Sequence, residues 1–284
     1  MASDPRLADL VRRALEEDLG PGDCTSEALV GAEEPAEAAI LSRGSYVVAG
    51  LPAAVEVFRQ VDAGLECRPK ARDGDPVERD QEALVLRGRA RSILAGERVA
   101  LNFLQRLSGI ATLTRQFARK AAPYGVQVLD TRKTTPTLRF LEKYAVRCGG
   151  GVNHRVGLYD RVLIKDNHRA AWARRGGRGL AGAVEEARRR FPGLVIEIEV
   201  ESEAELEQVL PAAPDWVLLD NMDPARLRRC VDLAKGRCRI EASGGITLAN
   251  VETVARAGVD AVSVGALTHS APAADFSLEF AIGA

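Results

Sequence analysis

Residues 195–221 read VIEIEVESEAELEQVLPAAPDWVLLDN, and this stretch decides the fold class. Its apolar runs at 195–200 and 216–219 are typical of strands, and the segment 203–210 between them has the spacing of a helix. A strand, a helix and a second strand in this order predict two parallel strands joined by a right-handed crossover. The stretch therefore indicates an α/β protein built on a parallel sheet.

The same alternation extends in both directions from about residue 125 to residue 264. It predicts further strands at 126–129, 162–164, 239–242 and 261–264, and further helices at 180–190, 224–234 and 247–257. The first hundred residues have a mixed pattern, which predicts helices at 4–18 and 52–61 and strands at 38–41, 46–49 and 83–86. Residues 91–122 read as one or two helices with an interruption near Ser108-Gly109, because glycine is a poor helix former.

Each predicted strand of the repeat is followed by polar or glycine-rich sequence. In a closed parallel barrel these carboxyl ends meet at one mouth, whereas an open sheet gathers only the ends beside a switch point. Six polar ends out of six strands favour the barrel, although periodicity alone leaves both arrangements open, and turns are commonly polar for local reasons. The ends are Asp130–Thr135, Lys165–His168, the Glu197, Glu199 and Glu201 series, Asp220-Asn221, Ser243–Gly245 and Gly265–Ser270.

Composition excludes several classes of protein. The 284 residues carry 39 lysines and arginines against 40 aspartates and glutamates, so the net charge of −1 argues against a general nucleic-acid coat. No apolar run approaches the length of a membrane span, and the first ten residues lack the apolar core of a signal peptide. The five cysteines are scattered without a C-x-x-C pair, which argues against disulfides and zinc. We therefore expect a cytoplasmic protein.

The near-neutral total hides two segments of opposite charge. Residues 130–170 contain nine basic and four acidic residues, whereas residues 195–223 contain nine acidic residues and no basic one. If both segments line one mouth, one wall of it is cationic and the other is anionic. Some of these charges, such as Glu203, Glu205 and Glu207, are expected on solvated helix faces.

The residue types at the strand ends indicate anion binding beside carboxylates. Ser243-Gly244-Gly245 before a helix at Thr247, and Gly265 after the last strand, can present backbone N–H groups to a phosphate, although glycines in tight turns give the same pattern. The strand-borne Glu197, Glu199 and Glu201 and the strand-end Asp220 can hold Mg²⁺ or stabilise a developing cation, and the residues alone do not choose among the three glutamates.

The glycine-rich loop 149–155 ends in two donors. Arg155 can clamp a carboxylate or a phosphate, and His154 can either bind substrate or serve as a structural cap. Lys133 or Lys165 could also form a Schiff base. The residues alone thus predict a site for one phosphate and a second anion, with a metal.

Several motifs resemble those of the quinolinate phosphoribosyltransferase family, and the resemblance covers nearly the whole chain. The most specific are LDTRKTTP at 129–136 and LIKDNH at 163–168. Thr137 stands where the family often has glycine after Thr-Thr-Pro, and we expect no effect on the chemistry. The others are EKYAVRCGGG at 142–151, NHR at 153–155, IEVE at 198–201, LDN at 219–221, EASGGI at 241–246, VGALTHS at 264–270, EDLGPGD at 17–23 and ERVALNFLQ at 97–105.

The resemblance implies an N-terminal α/β sandwich followed by an incomplete parallel α/β barrel of the type II phosphoribosyltransferase kind. It places the sandwich at residues 1–109, joined by the tail 271–284, and the barrel at 110–270. The family is at least dimeric, which implies that Arg98 reaches the site of the neighbouring subunit.

The implied reaction converts quinolinate and phosphoribosyl pyrophosphate to nicotinate mononucleotide, CO₂ and pyrophosphate, with Mg²⁺, in de novo NAD synthesis. Lys133 would lie beside the pyrophosphate, and Glu199 and Asp220 would face the ribose and the metal. The resemblance assigns the quinolinate carboxylates to Arg132, His154, Arg155 and Lys165. It assigns the 5-phosphate to Ser243, Gly244, Gly245, Gly265 and His269.

Three other functions remain open from the sequence. A related phosphoribosyltransferase could act on an aromatic acid without decarboxylation. A barrel lyase could use Lys133 or Lys165 as a Schiff base. A phosphosugar-binding protein could share the site and lack catalysis.

Overall fold

The computed structural model describes residues 4–281 and divides the chain into two compact units. One unit comprises residues 4–115, 141–150 and 271–281, and the other comprises 116–140 and 151–270. The predicted domain border at residues 109–110 lies a little before this division, and residues 141–150 belong to the first unit. Residues 1–3 and 282–284 of the predicted domains lie outside the described residues.

An antiparallel sheet forms the centre of the first unit. Its strand order is β12-β1-β5-β3, and β2 and β4 form a separate antiparallel pair. The strands are β1 (Pro35–Ser42), β2 (Tyr46–Val47), β3 (Glu66–Pro69), β4 (Pro76–Val77), β5 (Glu82–Arg89) and β12 (Phe276–Phe280). The helices are α1 (Pro5–Leu19), α2 (Cys24–Leu29), α3 (Leu51–Val61), α4 (Ala90–Ala121) and α5 (Arg139–Cys148). Helix α4 continues into the second unit, and α5 begins there.

Local sequence explains the first helix, and pairing with β1 places the last strand. The carboxylate of Asp4 accepts a hydrogen bond from the backbone of Arg6 at the start of α1, whose buried face carries Leu7, Val11 and Leu15. At the other end of the chain, β12 pairs with β1 from Ala38↔Phe280 to Ser42↔Phe276. The C-terminal segment therefore completes the sheet that the N-terminal strands begin.

The predicted interruption of the long helix is wrong, because α4 runs without a break for 32 residues. Gly109 is needed for close packing and not for a helix end. A Cβ on Gly109 would lie 2.0 Å from the carbonyl oxygen of Pro272, in the returning tail. The hydroxyl of Ser108 is buried and accepts a hydrogen bond of 3.0 Å from the backbone of Ala49.

Six parallel strands form the sheet of the second unit, in the order β6-β11-β10-β9-β8-β7. They correspond to the six predicted strands. These are β6 (Gln127–Leu129), β7 (Val162–Ile164), β8 (Ile196–Val200), β9 (Trp216–Asp220), β10 (Arg239–Ser243) and β11 (Ala261–Ser263). The helices are α6 (Asp166–Arg174), α7 (Gly179–Arg190), α8 (Glu203–Val209), α9 (Pro224–Ala234), α10 (Val251–Ala255) and α11 (Ala266–His269).

Four of the described helices were not predicted: α2 and α11, which have only six and four residues, and α5 and α6. Helix α6 contains no buried residue, so it has no apolar face that the sequence could reveal. Helix α5 buries two charged residues, Glu142 and Lys143, among its apolar ones. Among the described helices, none combines the length and the apolar composition that crossing a bilayer requires.

Strands β6 and β7 are the two edges of the parallel sheet, so the strand ladders of residues 4–281 do not close a full ring. Beyond the free edge of β6 lies Val152, which forms a single parallel bridge with Leu129. The N–H of Val152 donates to the carbonyl of Val128 (2.8 Å), and the N–H of Asp130 donates to the carbonyl of Val152 (3.2 Å). We call this bridged edge of β6, with the loop 152–155 that follows it, the seam.

Candidate active site

A cavity of about 840 Å³ lies at the carboxyl ends of the six parallel strands. The structure brings together around it every predicted site residue of the second unit, namely Arg132, Lys133, His154, Arg155, Lys165, Glu199, Asp220, Ser243, Gly244, Gly245, Gly265 and His269. Arg98 is exposed on α4 in the first unit. The cavity is therefore the candidate active site.

Asp130, directly after β6, fixes the loop at the seam. It is fully buried, and its Oδ1 accepts a hydrogen bond from the backbone N–H of His154 (2.9 Å). Its Oδ2 accepts a second one from Nδ2 of Asn153 (2.6 Å). Asp130 belongs to the motif at 129–136, but no role could be predicted for it, because its partners lie more than twenty residues further along the chain.

Both ring nitrogens of His154 are engaged by groups of the protein. Nδ1 accepts a hydrogen bond from the backbone N–H of Arg155 (2.7 Å), and Nε2 lies 3.0 Å from Oε2 of Glu197. Because Nδ1 accepts, the ring proton belongs on Nε2, where it is donated to Glu197. A substrate carboxylate could take a ring hydrogen bond only if one of these contacts broke.

The barrel interior next to His154 is ionic, although such interiors are usually filled by branched apolar side chains. Oε2 of Glu241 lies 3.4 Å from Nε2 of His154, and both Glu197 and Glu241 are fully buried. Nη1 of Arg161 lies 3.2 Å from Oε2 of Glu197 and 3.2 Å from Nε2 of His154. The two carboxylates and the imidazole have a spacing that a metal ion could use, but Arg161 already supplies positive charge there.

Charge states in this interior follow from burial and pairing. Burial raises the pKa of Glu241, and the charge of Glu197 raises it further. Burial opposes ionisation of Glu197 as well, but the contacts with His154 and Arg161 outweigh it and lower the pKa of Glu197. Burial lowers the pKa of His154, whereas the two carboxylates raise it, to about 9 on balance. A pKa of about 9 would make the ring cationic at neutral pH, but a cationic ring carries a proton on Nδ1 and would lose the hydrogen bond from the N–H of Arg155. We therefore assign the neutral ring from this geometry.

Strand β8 separates its three glutamates, which the sequence placed on one face. Glu197 is enclosed in the barrel interior and Glu199 lines the cavity. Glu201 lies beyond the end of β8 and is exposed. The alternation of strand side chains therefore predicts the direction of the first two, and the end of the strand removes the third.

Two carboxylates lie at the ends of neighbouring strands. Oε2 of Glu199 is 3.2 Å from Nζ of Lys165, which follows β7. Oδ2 of Asp220 accepts a hydrogen bond from Nδ2 of Asn221 (2.8 Å). The cavity thus places an ion pair and a partly exposed carboxylate side by side along β7, β8 and β9.

Glycines bring backbone close to other groups at the ends of β10 and β11. Gly244 has φ +90°, and a Cβ there would lie 2.1 Å from Oδ1 of Asn221. A Cβ on Gly265 would lie 3.0 Å from Cδ of Lys133 and 3.2 Å from Nε2 of His269. The helix predicted to begin at Thr247 begins instead at Val251, because the N–H of Thr247 donates to the side chain of Asn250 (2.8 Å).

Thr137 occupies a left-handed conformation with φ 68°, which accounts for the glycine that resembling sequences often have at this position. This conformation costs a residue with a side chain about 1–2 kcal/mol, a cost that glycine avoids. Glycine in turn destabilises the folded state by about 0.5–1 kcal/mol, because it increases the entropy of the unfolded chain. We expect Thr137→Gly to raise the free energy of unfolding by about 0.5–1 kcal/mol in urea denaturation. The control is Thr247→Gly, at an exposed threonine without positive φ, which should lower the free energy of unfolding. A similar decrease in both variants would refute backbone strain at Thr137.

Comparison with known proteins identifies the family. Residues 23–108 match the model of the quinolinate phosphoribosyl transferase N-terminal domain, and residues 110–279 match that of the C-terminal domain. A probable nicotinate-nucleotide pyrophosphorylase (carboxylating) of Bacillus subtilis is 40% identical over 96% of this chain and 93% of its own length. A quinolinate phosphoribosyltransferase (decarboxylating) of Nicotiana tabacum is 39% identical, over 96% of this chain and 82% of its own.

Solved structures agree with these relatives. The nicotinate-nucleotide pyrophosphorylase of Francisella tularensis superposes with a TM-score of 0.91 at 37% identity, covering 97% of this chain and 96% of that one. Human nicotinic acid phosphoribosyltransferase shares the fold alone, with a TM-score of 0.61 at 13% identity, covering 99% of this chain and 74% of that one. The predicted fold class, a sandwich domain with an incomplete parallel barrel, is confirmed. The chain belongs to the quinolinate phosphoribosyltransferase family.

Proposed function

We propose that this chain transfers the phosphoribosyl group of phosphoribosyl pyrophosphate to quinolinate, releasing pyrophosphate and CO₂ and forming nicotinate mononucleotide. Family membership supports the reaction. The observation that carries it is the pair of guanidinium groups, Arg132 and Arg155, that line the same cavity. Burial and the nearby charge of Arg132 both lower the pKa of Arg155. The fold therefore keeps two guanidinium groups close together although their positive charges repel each other. A dianion such as quinolinate relieves that repulsion.

The cavity offers a separate group for each part of the substrates. Arg132, Arg155 and Lys165 hold the two quinolinate carboxylates. The Nε of Arg132 is buried and has no hydrogen-bond partner among residues 4–281, which suits an anion in front of it. Ser243, Gly244, Gly245, Gly265 and His269 surround the 5-phosphate, and Lys133 lies beside the pyrophosphate.

The chemistry exchanges one bond at the ribose and then loses CO₂. The C1–O bond to pyrophosphate breaks as the pyridine nitrogen bonds to C1, and the ribose passes through an oxocarbenium-like state. Glu199 and Asp220 stabilise that positive charge from the cavity wall. The ring nitrogen is then cationic, and its charge stabilises the electron pair that breaking the C2–carboxylate bond leaves on C2. CO₂ departs, and C2 takes up a proton.

Glu199 and Asp220 also fit Mg²⁺, since both present hard oxygen donors to one cavity that has room for substrate oxygens. When bound, the ion supplies charge neutralisation to the pyrophosphate. We further propose a cytoplasmic homodimer or larger assembly, in which exposed Arg98 reaches the neighbouring subunit's site.

An assay with quinolinate labelled in its 2-carboxylate and phosphoribosyl pyrophosphate tests the function. We expect nicotinate mononucleotide and CO₂ in equal amounts, and a loss of at least about 10²-fold when EDTA removes the divalent ion. Restoration by Mg²⁺ is the control. Faster turnover of nicotinate than of quinolinate would overturn the proposal in favour of a non-decarboxylating transferase. Trapping of Lys133 or Lys165 by borohydride with a carbonyl substrate would favour a lyase.

A further inference from the structure

The seam presents a problem of support, because the loop that carries Arg155 is not part of a strand ladder. Val152 forms one bridge with Leu129, and residues 153–155 continue without strand pairing. Arg155 must nevertheless be held firmly, since a misplaced anchoring group loses most of its value for catalysis. Side chains have to provide what the backbone ladder does not.

Two buried side chains, Asp130 and His154, provide this support, one on each side of the loop. On the β6 side, Asp130 accepts from the Asn153 side chain and from the His154 backbone. On the interior side, the His154 ring connects the backbone N–H of Arg155, through Nδ1, to the carboxylate of Glu197, through Nε2. The ring therefore links the backbone of Arg155 directly to strand β8, across the seam.

The interior contacts are better suited to orientation than to stability. Glu197, Glu241 and Arg161 all lie within 3.4 Å of Nε2 of His154. Well-packed apolar residues would stabilise a barrel interior at least as well as buried charges do. A set of charged groups around one ring nitrogen does, however, fix the rotation of that ring.

We propose that Glu197 and Glu241, acting through the His154 ring, are positioning residues for Arg155, and that His154 orients this loop without contacting the quinolinate carboxylate. The inference rests on the proposed function, in which Arg155 anchors quinolinate. It changes the role that the family resemblance assigns to His154, and it separates Glu197 from the role proposed for Glu199. Glu241 had no predicted role.

The first test is a double-mutant cycle between Glu197→Gln and Arg155→Ala. With Arg155 present, Glu197→Gln should raise the KM for quinolinate about tenfold and change the kcat and the KM for phosphoribosyl pyrophosphate by less than about twofold. In the Arg155→Ala background it should change kcat/KM for quinolinate by less than about twofold. The same tenfold effect in both backgrounds, or an unchanged KM in a folded Glu197→Gln protein, would overturn the proposal.

A matched control is Asp215→Asn. Asp215 also holds β8, since its Oδ2 accepts from the N–H of Ile196 (2.8 Å), but it lies at the opposite end of that strand from the cavity. This variant should leave the KM for quinolinate unchanged, whereas a tenfold rise would mean that any disturbance of β8 has the same effect. Glu241→Gln replaces Glu197→Gln if the latter does not fold, with the same expected result.

Nitrogen NMR of the unmodified protein is the second test, and three histidines make assignment simple. The His154 ring should show an unprotonated Nδ1 and a protonated Nε2, both with and without quinolinate. A large change at either nitrogen on adding quinolinate would mean direct contact and would refute the proposal. Absence of quinolinate turnover by the unmodified enzyme would refute the proposed function instead, because the ring state of the free protein does not depend on it.

Discussion

Arg155→Ala should lower kcat/KM for quinolinate by at least about 10²-fold, the scale of a lost anchoring contact in a positioned reaction. The guanidinium lines the cavity, and its pKa is lowered by burial and by Arg132, so the free enzyme holds a charge that an anion must balance. In the proposed function, removing it takes away both a contact with a quinolinate carboxylate and half of the positive pair. Steady-state kinetics with each substrate varied separately will measure the loss.

Two further arginine variants make this result specific. Arg155→Lys keeps the charge but not the planar fork, so it should lose an intermediate amount. Arg188→Ala removes an arginine on α7 that pairs with Asp215, away from the cavity, and should turn over normally. Near-normal kinetics in Arg155→Ala would contradict the assignment of this residue to quinolinate.

Asp220→Asn should lower kcat by about 10²–10³-fold, as expected when a group aimed at developing charge is neutralised in an enclosed site. The substitution preserves the size and one oxygen of the side chain and removes only the negative charge, which faces the ribose in the proposed function. Because the proposed function places quinolinate on the cationic side of the cavity, its KM should change much less. Single-turnover rates at saturating substrates measure the effect on the bond-breaking step.

Asp223→Asn is the matched control for this variant. Asp223 lies three residues further on, where its carboxylate accepts from the backbone N–H groups of Ala225 and Arg226 at the start of α9. Asparagine caps helices about as well as aspartate, so both stability and kcat should stay unchanged. An Asp220→Asn enzyme with a kcat within tenfold of the unmodified enzyme would exclude a central electrostatic role for Asp220.

Much of the fold follows from local pattern. The alternating residues 195–200 predict β8 and the inward direction of Glu197 and Glu199, and the polar residues after each strand predict where the cavity lies. These features depend on neighbours in sequence, whose geometry the strand itself fixes. The same reasoning failed at Ser108-Gly109, where glycine serves a contact with residue 272 that no local window contains.

The support of the site could not be predicted in the same way. The contacts of Asp130 with Asn153 and of Glu197 with His154 join residues that are 23 and 43 positions apart. Their identity depends on which strands become the edges of the sheet, and periodicity does not specify an edge. Thr137 is a third case, since a threonine gives no sign of the left-handed conformation that it has to adopt.

The seam is also the place where local opening of the parallel sheet breaks the fewest backbone hydrogen bonds. Separating β9 from β10 would break a ladder with five residue pairs. Parting the seam would break the two backbone hydrogen bonds of Val152, the two that Asp130 accepts and the contacts of one imidazole ring. Hydrogen exchange should therefore be faster at the amides of Val152 and Asp130 than in the central strands. The loop that carries Arg155 is thus attached to the parallel sheet mainly through the side chains of Asp130 and His154.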